Sequence, residues 1–162
     1  MSVAHGTMIR LATDKDCERL CELSSQYHRV LKENHPNMTA DDQLLGREKE
    51  FFLKALQKEN EVIFLEEENG AVNGYIYAIL WKTRADDLVS VPHIEIVFLL
   101  VDNGHSGKGI GRALMERVHQ WGLEKGIRVF HLAVHEFNRK AQRFYEKLGY
   151  STIMRLMERT LG

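Results

Sequence analysis

The sequence has almost no charge imbalance, 22 Lys and Arg against 23 Asp and Glu for a net charge of -1. Bulk electrostatics therefore draw it neither to nucleic acid nor to an anionic lipid surface. It has only two cysteines, Cys17 and Cys21. Four residues apart, they share one face of a helix and lack the two further ligands of a closed zinc site, so they read as two reduced core thiols. No apolar run is long enough to cross a bilayer, and the opening MSVAHGTMIR lacks the hydrophobic stretch of a secretory leader. The expectation is a soluble, cytoplasmic protein with no nucleic-acid, membrane or metal partner. Internal repeats, low-complexity tracts and linkers are also missing, so residues 1–162 are expected to form one domain.

What is present is a regular alternation of strand and helix patterns. Met8 to Leu11 predicts a short strand, and Thr13 or Asp14 can cap a helix carrying Cys17, Leu20, Cys21, Ser24, Tyr27 and Leu31 on one face. His35-Pro36-Asn37 ends it, and Thr39 to Asp42 starts a second helix through Leu44, Leu45, Phe51, Phe52, Ala55 and Leu56. Glu61–Glu67 and Val72–Trp81 flank Asn69-Gly70 as a hairpin, interrupted at Asn73-Gly74. After a polar loop from Lys82 to Pro92, His93–Val101 is apolar enough to predict a strand at the centre of the sheet, covered on both faces. A helix from Gly109 to about Lys125, with Ile110, Ala113, Leu114, Val118 and Trp121 inward, stops at Gly126. Arg128–Val134 predicts a strand, Arg139–Leu148 a helix closed by Gly149, and Tyr150–Glu158 a final strand. The order β-α-α-β-β-β-α-β-α-β predicts one mixed α/β sheet with helices on both faces.

The stretch EIVFLLVDNGHSGKGIGR, Glu95 to Arg112, organises the chain. Its strand breaks at Asp102-Asn103-Gly104 and gives way to alternating glycines, Gly107, Gly109 and Gly111, at the start of a helix. Such a loop lets the backbone approach an anion, and first-turn N–H groups have no partners inside the helix. A Walker A loop is excluded, since Gly107-Lys108 is followed by Gly109 where Ser or Thr must hold magnesium. A dinucleotide fingerprint is excluded too, because the glycine spacing is wrong and the next strand ends in Ala133-Val134-His135 without an acidic residue.

The loop Ser106-Gly107-Lys108-Gly109-Ile110-Gly111 resembles the pyrophosphate loop of the GNAT superfamily of acyl-CoA-dependent N-acetyltransferases, matching at both small positions. A second block, from Asn138 through Ala141, Phe144, Tyr145, Glu146, Lys147, Leu148 and Gly149 to Tyr150, is similar to that family's downstream segment almost position for position. The first loop position, usually Arg or Gln in the family, is Ser106 here. That departure bears on coenzyme affinity more than on fold, because the phosphate contacts of such a loop are mostly backbone N–H groups.

The resemblance implies a mostly antiparallel GNAT-like sheet and transfer of an acetyl group from acetyl-CoA to a primary amine by direct attack in a ternary complex. A non-catalytic acyl-CoA-binding or regulatory module of the same fold is the alternative. It implies Glu95 as general base, although Glu95 also suits a strand-end carboxylate in solvent or in a salt bridge. A backbone N–H near Leu99, where the family's fourth strand bulges, would hold the oxyanion, and Leu99, Leu100 and Val101 would pair with the pantetheine arm. Ser106, Gly107, Lys108, Gly109, Ile110, Gly111 and Arg112 would hold the pyrophosphate, Asn138 would touch the coenzyme or cap its helix, and Tyr145 would protonate the leaving thiolate or serve as a core aromatic. The histidines, His93, His119, His131 and His135 among them, have no third group at metal-ligand spacing. The acceptor, a small-molecule amine or a protein amino group, is not readable, and a homodimer rests on analogy alone.

Overall fold

The computed structural model describes residues 7–35, 37, 47–82 and 91–162. The expected start of the second helix, Thr39 to Asp42 with Leu44 and Leu45, and most of the Lys82–Pro92 loop lie outside the described residues. The chain divides into two compact units, Met1–Leu132 and Ala133–Gly162.

In the first unit a five-stranded sheet runs in spatial order β1 (Met8–Leu11), β2 (Glu61–Glu68), β3 (Ala71–Trp81), β4 (His93–Val101) and β5 (Phe130–Leu132). The first three pairings are antiparallel and the last is parallel. The β2–β3 turn needs two left-handed residues, and Asn69 and Gly70 supply φ values of 54° and 80°. Side chains alternate across these strands, which sorts the core into two layers. Ile63, Leu65, Tyr75 and Tyr77 pack with Cys17, Leu20 and Leu23 of α1 (Cys17–Asn34) and with Phe52 and Ala55 of α2 (Glu48–Ala55). On the opposite face lies α3 (Ile110–Glu124), whose Arg117 sits 4.3 Å over the Phe64 ring and whose Ile110 fills the space above Gly74. Both thiols are free, Cys17 buried and Cys21 half-buried, and burial pushes the Cys21 thiol up to about 11.

Several expectations need correction. β4 is fourth of five strands rather than central, and Val97–Val101 is only half-buried. Its apolar character misled because one flank is covered by β5 for only three residues, Ile94 to Ile96. β5 spans Phe130–Leu132, shorter than Arg128–Val134. On α3 the buried stripe includes Met115 and Gly122, whereas Ala113 is half-buried. Gly122 is there because a Cβ would lie 2.5 Å from Phe130.

In the second unit α4 (Arg139–Lys147) is capped by Asn138, whose side chain accepts the Ala141 N–H at 3.1 Å. Gly149, at φ 91°, ends it, as the glycine pattern implied. The expected strand Tyr150–Glu158 is not formed, and residues 151–162 are exposed. Its composition suits a strand, but a strand exists only with a partner ladder, and none reaches it among the described residues.

The N-terminus of α1 is fixed by ionic capping. Asp16 Oδ2 accepts from the Thr13 N–H and hydroxyl at 2.8 and 2.9 Å, and both carboxylate oxygens accept from Arg10 at 2.8 Å. Arg10 holds the Asp16 carboxyl down at about 2. This stability is present above the ordinary carboxylate range, near pH 4, and is lost as pH falls through about 2. Asp16→Asn is expected to cost about 1–2 kcal/mol at neutral pH. Thermal melting across pH should show that difference shrinking toward pH 2.

Candidate functional site

The residues singled out in the sequence divide between the two units. Glu95, Leu99–Val101 and Ser106–Arg112 follow one another along β4, its loop and the start of α3, while Asn138 and Tyr145 lie on α4.

The β4 ladder to β3 pairs Val101 with Gly74, Leu100 with Tyr75, Leu99 with Ile76 and Phe98 with Tyr77, then skips Val97 and resumes at Ile96 with Ala78. The bulge thus falls at Val97, two residues before Leu99. On its other flank β4 loses its partner after Ile96 and Leu132, so the peptide groups of Val97–Val101 on that side have no ladder among the described residues. Gly74 lets the strands come close here, since a Cβ would lie 2.9 Å from the Leu100 carbonyl.

The loop that follows is anchored from α1. Asp102 accepts from Gln26 at 2.8 Å and pairs with Arg19 at 3.3 Å and His105 at 3.5 Å, and its N–H donates to Asn73 O at 2.7 Å. The Gln26 hydrogen bond first, then the Arg19 charge, lower the Asp102 carboxyl from its ordinary range. Gly107 and Gly109 take φ values of 82° and 84°, which only glycine adopts without strain, and nothing lies within 4 Å of their missing Cβ positions. Gly109 O accepts the Ala113 N–H at 3.1 Å, leaving the N–H groups of Ile110, Gly111 and Arg112 as the orphan donors of the first turn. Lys108 and Arg112 are exposed beside them, with Glu116 3.8 Å from Arg112. An open, glycine-lined loop with free donors and cations fits a diphosphate, and the half-open strand before it fits an extended amide-bearing arm.

Glu95 is half-buried. Its Oε2 accepts the Trp81 indole N–H at 2.8 Å. Trp81 opposes His93 across the β3–β4 ladder, so it reaches Glu95 diagonally. Nearby, Tyr77 stacks on Phe98 and meets Phe51 edge-on, and its hydroxyl donates to Glu61. Burial and that carboxylate raise the Tyr77 hydroxyl well above the ordinary phenol range. His93 and His131 rings lie 4.4 Å apart, and no group of three metal-ligating side chains occurs among the described residues. Tyr145 contacts Phe144 and Tyr150 edge-on.

Sequence reasoning missed Trp81 and Glu66. Glu66 reads as part of an acidic run, yet it is 1% exposed, while Glu67 pairs with Arg10 at 2.7 Å. The available signal was strand alternation, which puts Glu66 in phase with Phe64 and Val62 on the α3 side.

The fold is that of a GNAT-type acyltransferase, and comparison with known proteins agrees. The chain belongs to the Acetyltransferase (GNAT) family, which it matches over residues 17–150. It is 32% identical over 144 residues to the uncharacterized N-acetyltransferase YhfO of Bacillus subtilis, covering 88% of each chain. It is 27% identical to the thialysine N-epsilon-acetyltransferase of Mus musculus, covering 89% of this chain and 84% of that protein. Among solved structures, a tetramutant of the BH1408 protein from Bacillus halodurans superposes with a TM-score of 0.88 at 26% identity, over 95% of this chain and 99% of that one. The aminoglycoside N-acetyltransferase AAC(6')-Iy, solved in complex with CoA, shares the fold with a TM-score of 0.73 at 18% identity, over 99% of each chain.

The loop geometry has its own test. Gly109→Ala puts a side chain at φ 84° and is expected to destabilise by about 1–2 kcal/mol through backbone strain alone. Denaturant unfolding should show that loss although no atom contacts the new methyl group.

Proposed function

We propose that this protein transfers an acetyl group from acetyl-CoA to a primary amine by direct attack in a ternary complex. The observation that carries the reading is one continuous segment in which a strand edge without ladder partners leads into an open, glycine-lined anion loop. Family membership over residues 17–150, which span both units, supports taking residues 1–162 as one catalytic domain.

In this reading the peptide groups of Val97–Val101 bind the pantetheine arm as a neighbouring strand would, and Ser106–Arg112 bind the diphosphate. A backbone N–H of the bulged segment, between Val97 and Leu99, donates to the acetyl oxygen as negative charge develops there. The amine nitrogen attacks the carbonyl carbon, forming the N–C bond, and Glu95 receives the proton the nitrogen loses, directly or through water. Trp81 aims that carboxylate. As the C–S bond breaks, the electron pair stays on sulfur, and the Tyr145 hydroxyl supplies its proton. Asn138 caps α4 and takes part in coenzyme contact.

The exposed Trp81 ring beside Glu95 favours an acceptor that arrives as a cation. Relatives named for thialysine and for L-methionine sulfoximine and sulfone support a small-molecule amine acceptor. Soluble, cytoplasmic operation fits these small partners, and a protein amino group is the other acceptor class.

Thiol release from acetyl-CoA over a broad amine panel tests the activity. Tyr145→Phe is expected to lower kcat by about 10–100-fold with CoA affinity unchanged, and Glu95→Gln to lower kcat most at neutral pH. Tight CoA binding without thiol release by any amine would instead support a non-catalytic CoA-binding module. Equal turnover by wild type and Tyr145→Phe would remove the acid role.

A further inference from the structure

Glu66 is the charged residue most deeply buried near the loop, 1% exposed, and the mechanism above does not use it. It sits opposite Gly74 on β3 and Ile9 on β1, on the face covered by α3, at the level where Ile110 of the first turn packs over Gly74. One carboxyl oxygen accepts from Asn73, itself 4% exposed in the β3 bulge. The other, Oε2, has no hydrogen-bond partner among the described residues. Asn73 is also the residue whose carbonyl holds the Asp102 N–H at the root of the loop.

The charges facing Glu66 come from each neighbouring element. Glu68 on its own strand opposes its ionisation, whereas His105 and Lys108 of the loop favour it. Arg117 of α3 lies over Phe64, two residues along the strand, and Arg10 of β1 is engaged by Asp16 and Glu67. The ionised form of Glu66 is therefore sustained first by the Asn73 hydrogen bond and then by the positive charge that His105 and Lys108 bring to the loop, which a diphosphate would offset.

We propose that Glu66 takes up a proton at Oε2 when the CoA diphosphate seats on the Ser106–Arg112 loop. Binding brings negative charge to the loop and removes the electrostatic support of Lys108 and His105. A buried carboxyl with an oxygen lacking a donor then holds a proton at less cost than a charge. By reciprocity, coenzyme affinity falls as pH rises through the Glu66 titration. Burial already raises this carboxyl above the ordinary range. The inference rests on the reading that CoA binds this loop. A protein that does not bind CoA fails that reading, and one that binds CoA without proton uptake fails this one.

The test is calorimetric titration of the full chain with 3'-dephospho-CoA, which has the diphosphate but no titrating monoester, in buffers of different ionisation heat from about pH 4.5, the ordinary glutamate range, to about pH 8.5. Wild type is expected to take up a fraction of a proton and to lose about three- to tenfold in affinity across that range. Glu66→Gln, which keeps the Asn73 hydrogen bond, should abolish the uptake and bind at the alkaline end about as tightly as wild type at the acid end. His105→Asn should retain the uptake. Without ligand, the raised Glu66 carboxyl stabilises the fold below its unfolded value and costs stability as pH rises through its folded one. Glu66→Gln should therefore melt higher than wild type at the alkaline end and equally at the acid end. No proton uptake by wild type, unchanged uptake in Glu66→Gln, or its loss in His105→Asn alone would overturn the proposal.

Discussion

The structure depends on a constraint at one strand. Backbone donors and acceptors need partners, and β4 loses those on one flank after Ile96 while keeping its β3 ladder through Val101. The bulge at Val97 marks where the strand changes register as it leaves the region shared with β5. Five residues of strand thus present one row of peptide groups with no ladder partner among the described residues, directly before a loop with orphan N–H groups of its own. Under the proposed function both features serve one ligand, an extended amide chain ending in phosphate.

The remainder of the first unit holds that segment in place. α1 reaches it through Gln26 and Arg19 on Asp102, and Gly74 admits the close approach of Leu100. α3 seats its first turn on the opposite face of the same strands, with Ile110 over Gly74. Loop and strands are thus joined through Asn73 and Asp102, and Asn73 also hydrogen-bonds the buried carboxyl of Glu66.

Much of this was legible in the sequence because local rules fix it. The Asn69-Gly70 turn, the glycine loop, the Asn138 cap and the helix stops at Gly126 and Gly149 follow from backbone conformations that few residues adopt. What could not be read depends on pairing between distant residues. All residues of Ile96–Val101 are apolar, so nothing marks Val97 as the one skipped. Trp81 reaches Glu95 only through the β3–β4 register. Tyr150–Glu158 has the composition of a strand, yet composition cannot provide a partner. Glu66 was hidden by its acidic neighbours, although the period of two already placed it inward.

Hydrogen–deuterium exchange with and without acetyl-CoA tests the central claim most directly. Slowed amide exchange concentrated in Val97–Val101 and Ser106–Arg112 is the expected result. Saturating acetyl-CoA that binds while leaving exchange in both segments unchanged would contradict it.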